Sequence, residues 1–459
     1  LSAHAAGGPT RELAEFVAGL TFEALPDTVV AQACNVILDT VGCALGAWRD
    51  DPEKAGIARE IALSFASHPV SCLWGGAGAR ADSALAALAN GILVNAADYD
   101  DTHKRALIHT GSVTVPPSLA VAEERQRDGR AAITAVIAGY EVAVRVGMAV
   151  MPTHYRFWHS TATNGTFGAA AGAAHAYGLD ADRTQMALGF AGTQAAGLNT
   201  FFTSGDFTKS LHPGKASFNG ILAARLAEVG ATSPPAILEH EKGYLQAFSL
   251  EPDFSTLTDG LGSRWEILQN GVKPFPSILA SHSAIQATLD IVTTHDIEAS
   301  DIAAITNETY ETVKTHFSAK GVETPMAARV SVPYCVAVAA LDRCVGQAQF
   351  KPQRIAAPDV RDLLVRTDVV AVPELTALYP EKFPARVTVV MKDGRKLTAT
   401  HLFPKGDPQA PLSAAEIEAK FVDNASARLA ETQARKLAGL IRSLPGAKDL
   451  SQLSQLLAS

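Results

Sequence analysis

The chain has 459 residues, of which 47% are hydrophobic, 19% charged and 7% aromatic. That length and apolar content give room for two or three domains with sizeable cores and exclude wholesale disorder. The formal net charge of −8, from 39 basic and 47 acidic residues, argues against a nucleic-acid partner, which calls for a basic field.

The N-terminal half reads as helix after helix. Pro26-Asp27-Thr28 opens a segment with Val29, Ala33, Val36, Ile37, Val41 and Ala44 at helical spacing. Asp82 or Ser83 is placed to cap the next helix, through Leu85, Leu88, Leu93 and Val94. Ala131–Met151 is apolar nearly all round, which predicts a buried helix. Glu141 and Arg145 interrupt it, so it reads as short of a membrane span, and no membrane partner is expected. Asn164–Leu179, rich in Gly and Ala, and Thr184–Thr200 are expected as a helical pair in the core, and Lys215–Val229 as an amphipathic helix.

The pattern changes near Gly262. Ser277–Thr294 is helical, Asp301–Glu311 alternates like a strand, and Arg329–Leu341 is helical again. Arg386–Met391 and Lys396–Phe403 flank Asp393-Gly394, which predicts a β-hairpin. After Pro411, Ser413-Ala-Ala-Glu416 has the spacing of a capping box. Leu429–Leu444 then puts Leu437, Leu440, Ile441 and Leu444 on one side of a helix. The expected fold is mainly α. A large all-helical domain takes residues 1–265 and the returning helices of 409–459, and a smaller α/β domain takes 266–408.

The five cysteines form no CxxC pair, so neither a disulfide framework nor a structural zinc site is expected, and reduced thiols suit a cytoplasmic protein. The N-terminus shows no basic region followed by an apolar run, so no secretory signal is read there.

Five polar patches could carry chemistry. The densest runs from Asn95 through Asp98, Asp100, Asp101 and Thr102 to His103, with His109 beyond it. Its carboxylates could hold a hard cation, cap backbone amides or move protons; the spacing matches no metal motif. The second patch, Phe157–Thr161, carries His159 ahead of the Gly/Ala helix, as a structural or a catalytic imidazole. The third, Gly205–Lys215, sets Lys209 and Lys215 about a helix start, a place that suits anions, and includes His212. The fourth holds Lys273 just before Pro274, in a stiff extended segment. The fifth, Ser331–Cys335, carries Tyr334, a position more often filled by a core tyrosine with a satisfied hydroxyl.

In this order the patches resemble the MmgE/PrpD family: DYDDTH and then His109, WHST with GTFGAAAGAA, TKSLHPGKA, VKPFP with His282 downstream, and SVPYCVA. The family includes 2-methylcitrate dehydratases, cis-aconitate decarboxylases and iminodisuccinate epimerase. The resemblance implies a helical domain with an α/β lid and a cleft, a di- or polycarboxylate substrate, no metal, no organic cofactor, and a homodimer. Carried over by motif, it assigns His109, His159, Lys209, Lys273, Asp98 and Tyr334 to catalysis. It assigns Thr102 and His212, again with Lys209 and Lys273, to substrate binding.

Such substrates build a second negative charge beside a carboxylate during reaction, which cationic lysines stabilise while near-neutral histidines move the proton. Leu107–Val113 departs from the WGHPSDN-like stretch expected of the dehydratases. The expectation is therefore an epimerase working by proton removal and return at the carbon next to a carboxylate. A dehydratase or decarboxylase is the alternative, and a helical scaffold protein the non-enzymatic one.

Overall fold

The computed structural model describes residues 7–65, 68–201 and 206–459. The first six residues and Gly205 lie outside them, and with them the signal-sequence reading and the head of the third patch. The chain is mainly α-helical. It divides into two compact units: residues up to Val272 together with Ser413–Ser459, and Lys273–Leu412. Sequence pattern had put the divisions after 265 and 408. The short 3₁₀ turns Phe254–Leu257 and Glu266–Gln269 carry no helical period, so the pattern changes before the unit ends.

In the first unit, Asp27–Asp50 and Gly129–Val150 are long and apolar enough to cross a membrane by length and composition, which corrects the reading that Ala131–Met151 falls short of that. Their apolar windows are 78% and 100% buried within the protein, as core helices are. Glu141 and Arg145 pair at 3.3 Å inside the unit, and Arg145 also donates to the carbonyls of Asp259 and Arg264. The unit is not all-helical: Ser71–Cys72 and Arg80–Ala81 form an antiparallel ribbon.

Two expected helices have other ends. The helix read as Thr184–Thr200 is Ala181–Gln194. Beyond it the chain is extended, where the Gly197 carbonyl accepts from His159 N–H and Leu198 bridges to Trp158. The helix read as Lys215–Val229 is Thr208–Glu228, with Pro213 inside it. Pro213 frees the carbonyl of Lys209 without ending the helix. A Cβ on Gly214 would stand 2.3 Å from the Leu88 carbonyl oxygen, and one on Gly91 2.9 Å from Gly214 Cα. The glycines thus let the Thr208–Glu228 and Ser83–Asn95 helices cross almost backbone to backbone. Its buried residues, Lys209, His212, Ala216, Gly220, Ala224 and Ala227 among them, recur at helical spacing along one face, as expected of an amphipathic helix.

The second unit holds a four-stranded mixed sheet in the order Thr367–Ala371, Ile302–Thr309, Ala385–Met391, Lys396–His401. The first pair is parallel and the rest antiparallel, with Val390 opposite Lys396 at the Asp393-Gly394 turn. Alternation along Ala385–Met391 buries Ala385, Val387, Val389 and Met391. These pack with Ala284, Ala287 and Ile291 of the Leu279–Thr294 helix and with Val332 and Val336 of the Val332–Asp342 helix.

The returning segment begins with the capping box of Ser413 and Glu416 on the Ala414–Ala425 helix. Gly42 and Gly46 let that helix approach: a Cβ at either would lie 3.0 Å from Phe421 or Asn424. In the following Glu431–Arg442 helix, Leu437 and Ile441 are buried as expected, whereas Leu440 is half-exposed.

Candidate active site

Four helix ends meet in the first unit. His109 stands at the N-terminal boundary of Thr110–Glu124 and His159 at that of Ser160–Tyr177, neither side chain bonding the helix end, and Lys209 lies in the first turn of Thr208–Glu228. Asp98 follows the C-terminal end of Ser83–Asn95, with a left-handed φ of +52°. The Gly91–Gly214 crossing brings that end beside Lys209. Helix N-termini carry partial positive charge, so three of them about one locus favour an anion.

Lys209 Nζ is 2.8 Å from Asp98 Oδ2. His109 Nε2 is 3.7 Å from Asp98 Oδ1, and His109 Nδ1 is 3.2 Å from Asp100 Oδ1, off the line of a hydrogen bond. Asn95 Nδ2 donates to both oxygens of Asp100, at 3.0 and 3.1 Å. The His109 backbone N–H donates to Thr161 Oγ1 at 3.2 Å. His159 Nδ1 and His212 Nδ1 are 2.8 Å apart, and the ring centroids of His159 and His109 are 6.4 Å apart. Phe201 packs edge-on against both His159 and His212. All of these polar side chains are buried except for small openings at His109 and Lys209.

Burial dominates the acid–base properties. It lowers the pKa of His159 well below 6.5, and the neighbouring His212, His109 and Lys209 lower it further. It lowers His212 to about 4, with help from Lys215. Both rings are therefore neutral at pH 7. Asp101, beside the site, accepts from Gly111 N–H, Tyr140 Oη and Asn270 Nδ2. Burial raises its pKa to about 7.

Asp98, His109, His159, Lys209 and His212 thus come together, as expected. Thr102 pairs through its backbone with Gly271, and its buried hydroxyl has no hydrogen-bond partner among the described residues. Lys273 opens the second unit and is buried. Tyr334 lies in that unit's apolar core with Phe275, Val338 and Phe350, and its hydroxyl donates to the Gln349 carbonyl. Lys215, expected at a helix start, lies two turns inside its helix and donates to the Ala196 carbonyl.

One ligand atom each from Asp98, Asp100 and His109 lie within 4.8 Å of one another, close enough to hold a metal ion, although no metal was expected there. The Lys209 ammonium against Asp98 already supplies the positive charge that a hard cation would bring. The sequence also passed over Lys420. From the returning helix it reaches Asp39 at 2.6 Å, donates to the Tyr99 carbonyl at 2.8 Å and lies over the Tyr99 ring. It thereby grips the residue between Asp98 and Asp100.

A buried lysine, paired neutral imidazoles and converging helix N-termini make a locus suited to anions and to proton transfer. The chain belongs to the MmgE/PrpD family: the family's N-terminal domain matches residues 11–257 and its C-terminal domain residues 275–445. The relatives it resembles are cis-aconitate decarboxylases. The chain is 27% identical to the human enzyme over 98% of this chain and 94% of that one. It is 26% identical to the Aspergillus terreus enzyme, covering 99% and 96%. It is 27% identical to the cis-aconitate decarboxylase-like protein oryM of Aspergillus oryzae, covering 98% of each. These relatives are lyases, which moves the weight from the expected epimerase to its lyase alternative.

Proposed function

We propose that this protein decarboxylates an unsaturated tricarboxylate, with cis-aconitate as the first candidate. The end-to-end likeness to the decarboxylases carries the reading, and the anion-suited site supports it.

Loss of carbon dioxide from the carboxylate on the saturated carbon leaves an electron pair that forms a new double bond. The old double bond then takes a proton at the carbon beside a remaining carboxylate. Negative charge grows on that carboxylate in the transition state, where a buried lysine counts for more than in water. An ammonium carries three N–H donors, so Lys209 can serve Asp98 and a substrate carboxylate together. His159, neutral at pH 7, can supply a proton through its ring N–H. Lys273, carried over from the family pattern, is the second carboxylate-binding cation in this proposal, and its loss is expected to act on KM.

The test is purified protein with cis-aconitate in heavy water, followed by carbon dioxide release and proton NMR. One equivalent of carbon dioxide and one carbon-bound deuterium per product are expected. Hydration without gas release would overturn the reading in favour of a dehydratase. Inertness to cis-aconitate with inversion of iminodisuccinate would restore the epimerase.

A further inference from the structure

His159 and His212 come from different helices, yet their Nδ1 atoms meet at 2.8 Å. A hydrogen bond between two imidazole nitrogens needs one to carry the proton and the other to be bare. The two rings must therefore hold opposite tautomers. One is protonated at Nδ1 and exposes a bare Nε2; the other is bare at Nδ1 and carries its proton on Nε2. Protonating both rings would point two N–H groups at each other across 2.8 Å, so the pair accepts at most one added proton.

The rings are backed by rigid elements. The His159 backbone N–H donates to the Gly197 carbonyl at 3.0 Å. Gly197 has φ +153°, and a Cβ there would lie 2.3 Å from Ala162 Cβ and 3.3 Å from His212 Nε2. His212 sits inside the Thr208–Glu228 helix, two residues before the Gly214 crossing. The charged and titratable groups facing the pair differ by side: His109, Lys209 and Asp98 act on His159, whereas Lys215, Asp206 and Lys209 act on His212. Lys209 acts on both rings, and the His109 ring lies 6.4 Å from that of His159, so His159 is the ring beside the Asp98–His109 cluster.

We propose that His212 is a positioning residue that, through this Nδ1–Nδ1 hydrogen bond, fixes the orientation of His159, ties its tautomer to that of His212 and joins the two rings into one acid–base unit. The proposal deepens the decarboxylase reading and rests on it for the role of His159. It replaces the substrate-binding role expected of His212 from the sequence. Carbon protonation needs His159 to present one defined nitrogen to the substrate, and a ring free to change tautomer presents the wrong one part of the time.

His212→Asn keeps an amide near the Nδ1 position, able to donate or accept but not to titrate; His212→Leu removes the partner. His212→Leu is expected to lower kcat by about 10²-fold with KM little changed, and His212→Asn to recover most of that loss. Equal kcat in wild type and His212→Leu overturns the proposal. So does a rise in KM alone in both variants, which would return His212 to substrate binding. Should His212→Leu fail to fold, nitrogen-15 NMR of histidine-labelled wild type decides. One ring protonated only at Nδ1 and the other only at Nε2 are expected at pH 7. Two Nε2–H rings, or a cationic ring, overturn it. The NMR result stands whether or not cis-aconitate proves to be the substrate, so failure of the decarboxylase reading and failure of the pair are told apart.

Discussion

Lys420 stands 2.6 Å from Asp39 in the first unit, and Lys320 stands 2.7 Å from Asp368 in the second. The two ion pairs are almost equal in length, but their surroundings are opposite. The side chains of Lys420 and Asp39 are 5% and 0% exposed, those of Lys320 and Asp368 35% and 69%. Buried charge is not confined to one unit: the first buries Asp98, Asp100, Asp101, His109, His159 and Lys209 among its helices, and the second buries Lys273, His282 and Arg329 beside an apolar core of Ile305, Val387, Val389 and Val336. Chemistry resides where charge has been taken out of water, because only there do neighbouring groups move each other's protonation far.

The largest expected effect sets a buried histidine against an exposed one. His159→Gln should lower kcat by about 10²–10⁴-fold with KM little changed, as loss of a proton-transfer group does. His316, exposed beside Phe317 in the second unit, serves as the control. His316→Gln should leave kcat as it is. Steady-state decarboxylation assays check both. A His159→Gln enzyme with near-normal kcat would move the proton to Lys209 or His109 and break the contrast at its centre.

Stability comes next. Lys420→Met leaves Asp39 charged in the interior, which should cost about 3–5 kcal/mol. Adding Asp39→Asn removes that stranded charge and should recover most of the loss in a denaturant titration. If the double variant is no more stable than the single one, the cost lies in the lost grip on Tyr99 and not in the buried charge.

Lys420 also marks the limit of what the sequence could tell. Ser413 and Glu416 announce their capping box, and Asp393-Gly394 its hairpin, because local chemistry decides both. His109, His159 and Lys209 were legible through motif text, and their meeting follows from helix ends. Lys420, in a helix with Glu416, Glu418 and Asp423, reads as a solvated residue. It is buried because Gly42 and Gly46, far away in sequence, admit the helix so closely. The helix expected from Lys215 likewise begins earlier, at Thr208, with Pro213 inside it. Tyr334 was legible as a motif residue, but only the fold shows its hydroxyl bound to Gln349.

The third effect is one of pH. His154 is held in the first unit with Nε2 2.8 Å from Thr163 Oγ1 and Nδ1 3.1 Å from the Phe248 carbonyl. Burial lowers its pKa from 6.5 to about 4. Between those values the unfolded chain binds more protons than the folded one. The group therefore contributes stability above pH 6.5 that is lost as pH falls through about 4. Asp101 and Glu141 act in the opposite sense. Their pKa values are raised to about 7, so their contribution is present at low pH and lost as pH rises through 7. A comparison of wild type with His154→Gln cancels the carboxylates, which both proteins share. The stability advantage of wild type should shrink by roughly 3 kcal/mol between pH 7 and pH 4, read from urea midpoints. A difference that does not change with pH would mean that His154 titrates as an exposed histidine does.

The smallest effect is the most demanding test of the comparison, because it concerns a pair that looks as good as Lys420–Asp39. Lys320 Nζ donates to Asp368 Oδ1 at 2.7 Å and to the Val365 carbonyl at 2.8 Å. By distance alone its loss should match that of Lys420. Burial says otherwise: both partners remain solvated when separated, salt screens their attraction, and holding the long lysine chain in one geometry costs entropy. Lys320→Met should therefore lower stability by only about 0.2–1 kcal/mol, and the difference from wild type should fade at 1 M salt. The Val365 carbonyl can turn to water once the ammonium is gone, so no buried group is stranded. A loss near that of Lys420→Met would mean that distance, and not burial, sets the worth of these pairs. The distinction drawn between the buried and the exposed pair would then fail at its simplest point.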